Sequence, residues 1–188
     1  QHLIQQRVNV YFIDDGPTDD TVRIVERWIG RGVLGVEERG NTAVFAWAEI
    51  LRRKEQLSTT LPGSWFIHHD ADEFRESPWP ALDLHGGVLE VDRLGYNAIA
   101  FEVLNFRPTP NDPPESDVRM AFSYYEPAQY WESIQVKCWK RAPALDLVSS
   151  GGHDVMFEGR RLCPIKFLTK HYPLRTQQQA ERKVLVDR

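Results

Sequence analysis

Cysteine, positive charge and long apolar runs are all scarce in this chain of 188 residues. Its two cysteines, Cys138 and Cys163, form neither a CxxC pair nor a framework. Two free thiols in a reducing, cytoplasmic compartment are therefore expected. Lysine and arginine number 23 against 27 aspartates and glutamates, a net charge of −4. Without a basic surplus there is little to neutralise a phosphate backbone, so nucleic acid is not an expected partner. The longest apolar run, residues 43–48, falls far short of the roughly 18 residues of a membrane span, so no transmembrane segment is expected. No Asn-X-Ser/Thr triplet occurs, and no run of basic, apolar and small residues marks a signal peptide. Turn formers, by contrast, are plentiful. Twelve glycines and twelve prolines exclude a simple helical bundle and, without a repeat, a collagen-like or low-complexity chain. With 41% hydrophobic residues, positions 1–188 suit a single domain with a sizeable core.

Short apolar runs alternate with helical spacing through the first half. Residues 8–13 (VNVYFI) read as a strand stopped by the turn residues Asp14, Asp15, Gly16 and Pro17. Residues 19–29 carry Val22, Val25, Trp28 and Ile29 at helical spacing, and Gly30 and Gly32 end them. A short strand is predicted over 33–36. Asn41 is the predicted N-cap of a helix over 42–56, with Val44, Trp47, Ala48 and Leu51 on one face. Residues 65–69 (WFIHH) predict the next strand, which runs straight into Asp70, Ala71, Asp72 and Glu73. A helix over 82–94, weakened by Gly86 and Gly87, and a strand over 98–104 follow. Continuous apolar strands separated by helices predict an α/β fold, a mostly parallel sheet with helices on both faces. In such sheets ligands collect beyond the carboxyl ends of the strands, where both acidic clusters sit. Residues 107–126, with four prolines and no period, predict a long loop of a kind that is more often functional. Strands are expected again over 135–140 and 154–157. Thr176 and Gln179 open a final helix through about residue 186.

Asp70 and Asp72, two apart on a loop, can face one divalent cation. Mg²⁺ or Mn²⁺ prefers hard oxygen ligands and takes one or two carboxylates plus substrate phosphates. Such a cation neutralises a diphosphate leaving group. The plainer alternative for a bare DxD is an acidic surface turn. A calcium loop is excluded: counting from Asp70, Arg75 stands where glycine is required and Ala81 where the bidentate glutamate is required. A haloacid-type phosphatase would carry a second aspartate two residues after Asp14, where Gly16 stands.

In this order and context the residues resemble a family. YFIDDGPTDDT, residues 11–21, resembles the strand–DDGSTDGT element of family 2 nucleotide-sugar-dependent glycosyltransferases of the GT-A fold, with Pro17 in place of the usual serine. WFIHHDADEF, residues 65–74, resembles their metal-binding DxD element, about 55 residues further on. GYNAIAFEVLNFRP, SSGGHDVMF and FLTKHYPLR are similar to later segments of a bacterial branch, so the likeness covers most of the chain. The resemblance implies a GT-A, Rossmann-like fold. It implies metal-assisted, inverting transfer of a sugar from a nucleotide-diphosphate donor, a UDP- or GDP-sugar, to a glycan or other hydroxyl acceptor. Asp14 and Asp15 would lie near the base and ribose, and Asp70 near the ribose and metal. Asp72 would be the chief carboxylate on Mn²⁺ or Mg²⁺, with His153 and His171 as further metal or phosphate ligands. A lone histidine is otherwise a structural residue.

An inverting transfer needs a carboxylate to deprotonate the acceptor hydroxyl. The family's Glu-Asp pair is not recognisable. Asp154, beside His153, is the preferred candidate, and Asp117 and Glu132 are its rivals. Lys137, Arg160 and Arg175 are candidate phosphate or acceptor contacts, with surface cations as the alternative. Tyr124, Tyr125, Tyr130 and Trp131 could stack on a sugar ring or simply pack. Family members open with a strand and helix before the DDGSTD strand, and here only residues 1–7 precede it, as in an N-terminally truncated domain. The absent strand would lie between those carrying Asp14–Asp15 and Asp70–Asp72. Direct pairing of these two strands, or an intruding strand from elsewhere such as a second copy, is the expected remedy. The alternative function is a nucleotide-sugar-binding domain without turnover. A nucleotidyltransferase would usually show a glycine-rich basic loop, which residues 1–15 lack.

Overall fold

Residues 1–15, 20–39, 46–112, 117–129 and 135–185 are described by the structure, a computed structural model. Gly16, Pro17, the predicted N-cap Asn41, Val44, Tyr130, Trp131 and the base candidate Glu132 lie outside them. The first half runs α1 (His2–Gln5), β1 (Val10–Asp14), α2 (Thr21–Glu26), β2 (Val33–Glu38), α3 (Trp47–Thr60), β3 (Trp65–Ile67) and β4 (Glu73–Glu76). Then come α4 (Leu84–Arg93), β5 (Ala98–Arg107), α5 (Val118–Ala121), β6 (Tyr124–Pro127), β7 (Val136–Lys140), β8 (Phe167–His171) and α6 (Gln177–Leu185).

Local chemistry sets several of these boundaries. The Asp83 carboxylate accepts from the Gly86 N–H at 2.8 Å and starts α4 despite its two glycines. At α6, Thr176 Oγ1 accepts from the Gln179 N–H at 3.1 Å, while Gln179 Oε1 accepts from the Arg175 N–H at 2.9 Å. β4 is hidden in the sequence because its alternation is inverted: the charged Glu73 and Arg75 are the buried residues. Residues 154–157 form no strand; Asp154 and Met156 each make one isolated bridge. The long loop predicted over 107–126 is partly regular, since β5 runs on to Arg107 and β6 returns antiparallel along it.

β1 and β2 form a parallel pair of their own, and the larger sheet runs β3-β7-β5-β8-β4 with β6 on β5. Within the larger sheet β5–β8 is parallel, whereas β3–β7, β5–β7, β4–β8 and β5–β6 are antiparallel. The fold is thus α/β with a mixed sheet, and the mostly parallel sheet read from the sequence is not found. Strands buried on both faces read as continuous apolar runs in either direction, so the pattern could not report that β7 lies antiparallel between β3 and β5. Among the described residues β1 does not pair with β3, and no strand bridges the two sheets. Direct pairing of the two strands is therefore not found there. Instead β2 is tied to α3 by Glu37–Arg53 at 2.8 Å and by Arg39–Glu49 at 2.5 Å, where Arg39 follows β2 directly.

Helices do cover both faces of the larger sheet. Leu84, Val88 and Val91 of α4 pack with Ile99, Phe101, Phe167 and both free cysteines. On the other side Leu51 of α3 packs with Ala98, Ala100, Val136, Trp139, Leu147 and Val155. β5 is the common wall. The sheet is also curled: β7 and β4 are three strand spacings apart along it, about 14 Å if flat. Yet Lys137 Nζ of β7 lies 3.2 Å from Glu73 Oε1 of β4. Among the described residues no helix is long and apolar enough to cross a membrane.

Phe101 is fully buried, edge-on to Phe167 at 5.9 Å, with the Arg75 guanidinium 4.1 Å over its ring. Phe101→Ala is expected to cost about 3–5 kcal/mol, from the lost burial and the cavity left behind. Denaturant unfolding checks this, and an unchanged midpoint would contradict the packing.

Candidate functional site

Residues 68–72 join β3 to β4 and carry the two aspartates of DADEF, whose Glu73 opens β4. Asp70 is half-buried, and both its oxygens are engaged. Oδ2 accepts from Lys137 Nζ at 2.9 Å, and Oδ1 lies 3.2 Å from His68 Nε2. Lys137 is 3% exposed and donates also to Glu73, whose other oxygen accepts from Arg75 Nη2 at 2.5 Å. Two carboxylates and two cations therefore interlock below the loop. Burial alone would raise both carboxyls, but the charged neighbours win. The bonds from His68 and Lys137 hold Asp70 far below the usual carboxylate range. Arg75 and Lys137 hold Glu73 down at about 2.

His68 is 2% exposed and sits on a second chain segment. Its Nδ1 lies 3.1 Å from the Gly152 carbonyl, and its ring is 5.8 Å from that of Trp47, whose Nε1 donates to the Gly151 carbonyl at 2.9 Å. Burial lowers the His68 pKa, and it holds neighbouring His69 down at about 3. Both ring nitrogens face acceptors, the Asp70 carboxylate and the Gly152 carbonyl, so a neutral imidazole with its one N–H donates to one of them and an imidazolium to both. Gly152 has φ +89°, and a Cβ there would come 2.6 Å from His68 Cε1 and 2.9 Å from Leu51. Only glycine fits both the backbone and the ring.

Asp72 turns to other partners. Its Oδ2 is 3.6 Å from His171 Nε2, and its carbonyl accepts from the Tyr172 N–H at 2.8 Å. His171 Nδ1 in turn meets Asn105 Oδ1 at 2.8 Å. His153 is exposed and accepts from Gln135 Nε2 at 3.0 Å. The Asp154 carboxylate is paired with Arg160. Asp117 caps α5 and pairs with Arg119, whose bond holds it at about 2. Asp14 ends β1 in the smaller sheet, and Asp15 follows directly after it, exposed. The structure thus brings Asp70, Asp72 and His171 around one loop and leaves Asp14, Asp15, Asp117 and His153 with other neighbours. Tyr124 and Tyr125 are exposed on β6.

A divalent cation needs several oxygen or nitrogen donors converging on one point. Among the described residues no three His, Cys, Asp or Glu side chains come together in that way. Asp70 is occupied by Lys137 and His68, and Asp72 faces His171. As arranged, the described residues do not fit Mn²⁺ or Mg²⁺.

Sequence reasoning undervalued Lys137 and passed over Glu73, Arg75, His68 and Lys54. One signal was available: a lysine inside the otherwise apolar run VKCW requires a buried carboxylate nearby. No protein-family model matches the chain, and no curated protein matches it.

Stability is expected to fall on acidification. His68 and His69 are depressed in the folded chain, so the unfolded chain takes up protons first as pH drops below about 6.5. Asp70 and Glu73 are depressed as well; their contribution is full at neutral pH and is lost progressively from about pH 5 downward. A melting temperature constant from pH 7 to pH 4 would contradict this network. Gly152→Ala is expected to cost about 1–3 kcal/mol through backbone strain and overpacking. Gly151→Ala, whose Cβ would meet only His153 at 3.9 Å, should cost less, as denaturant titration of both variants can test.

Proposed function

We propose that the chain is a GT-A-type glycosyltransferase domain that moves a sugar from a UDP- or GDP-sugar to a glycan or other hydroxyl acceptor with inversion. Convergence of the resembling segments supports this. His68, Asp70 and Asp72 come from the DADEF segment, and Gly151 and Gly152 from SSGGHDVMF. His171 comes from FLTKHYPLR, and Asn105 from GYNAIAFEVLNFRP. Four segments separated in sequence thus meet at residues 68–72. The donor diphosphate belongs at this loop, with base and ribose toward Asp14 and Asp15 beyond β1.

In the transfer, the acceptor oxygen attacks the anomeric carbon as the bond to the diphosphate breaks. The acceptor proton passes to a carboxylate, for which Asp154 is the preferred base. A second function is favoured by one observation: both described base candidates are held by arginines, Asp154 by Arg160 and Asp117 by Arg119. Such a domain would bind nucleotide-sugar without turnover, and in either case the two thiols suit a cytoplasmic setting.

UDP-, GDP- and dTDP-sugars should be tested for thermal stabilisation and for release of nucleoside diphosphate in the presence of hydroxyl acceptors. Stabilisation and release are expected with at least one donor. Asp154→Asn should then lower release roughly hundredfold or more while donor binding persists. Binding without release selects the non-catalytic function, and no binding by any donor removes both.

A further inference from the structure

The charge around Asp70 is the reverse of an acidic metal cradle. The carboxylates of Asp70 and Glu73 are matched by Lys137 and Arg75, and a third cation, Lys54 of α3, acts on the same cluster. Its ammonium lies 5.1 Å over the Trp47 ring, and that ring packs on His68. No oxygen among the described residues bonds Lys54 Nζ, so it is the surplus charge of the group. Burial lowers its pKa to about 8, which leaves it mostly protonated at neutral pH. A partly desolvated ammonium with no carboxylate at hydrogen-bond distance gains more from an incoming anion than one already so paired.

We propose that Lys54 receives the phosphate oxygens of a nucleoside diphosphate, and that Lys137 holds on Asp70 the place a divalent cation would take. The site then binds the diphosphate without a metal. This deepens the glycosyltransferase proposal and rests on it for the identity of the diphosphate. The shared chemistry is a pyrophosphate group, whether free or carried on a nucleoside.

Calorimetric titration of the full chain with inorganic pyrophosphate, UDP and GDP, in EDTA and in Mn²⁺, tests it. Binding in EDTA is expected, with UDP or GDP tighter than pyrophosphate. Lys54→Met keeps the apolar stem over Trp47 and should melt as the parent does, yet bind all three roughly tenfold or more weakly. Lys54→Arg should recover most of the affinity. Binding that requires Mn²⁺, or binding in EDTA that Lys54→Met leaves intact, overturns the lysine site while the glycosyltransferase proposal survives. Lys54-dependent binding of pyrophosphate with no gain from a nucleoside supports the lysine site and counts against the nucleotide-sugar donor. No binding of any probe overturns it.

Discussion

One buried ammonium holds this arrangement together. Lys137 rises from β7, between the apolar Val136 and Cys138, and meets both Asp70, on the loop after neighbouring β3, and Glu73 of β4 at the far edge of the sheet. An ammonium in such a place is tolerable only with carboxylates at hydrogen-bond distance. The carboxylates are equally dependent on it, because removing one partner of a buried pair strands the other's charge. Satisfying all of them draws β4 toward β7 and curls the sheet. It also aims Asp70 at His68, and His68 in turn admits only a glycine at position 152.

The same lattice shapes what the loop can bind. Carboxylates that answer to fixed cations do not offer the open, negatively charged oxygens that a divalent ion seeks. Asp70 and Asp72 differ in this respect although they stand two residues apart. Asp70 points into the ion pairs, whereas Asp72 looks across to His171, which Asn105 orients from β5. The aromatic packing of Tyr172 on Phe106 at 4.8 Å, next in the chain to His171, anchors that second side. One loop therefore presents two chemically distinct carboxylates, one neutralised from below and one free to respond to its imidazole neighbour.

The smaller sheet joins the rest through surface chemistry more than through strand pairing. Its ion pairs, Glu37–Arg53 and Arg39–Glu49, are partly solvated and worth little each. Leu3 and Val8 add apolar contact with the core around Phe101 and Phe167. Asp14 and Asp15 thus sit on an element whose hold on the main sheet is weaker than that of residues 68–72.

The sequence by itself determined the chief turns, two helix starts and the apolar strands, because turn residues, caps and apolar spacing act within a few positions; it did not reveal β4, β6 or β8, and its strand over 154–157 does not form. Asp83 and Thr176 start their helices by bonds to amides three residues away, and WFI and AIAFEVL are strands wherever they pair. The acidic loop after WFIHH and the glycines at 151 and 152 were legible as features for the same reason. Only the tertiary structure decided the direction of β7, the inward turn of Glu73 and Arg75, and the partners of Asp70. Those depend on charges some 65 residues apart in the chain, such as Asp70 and Lys137, being buried together. Burial of that kind is a property of the whole sheet, and no local pattern encodes which cation will answer which carboxylate.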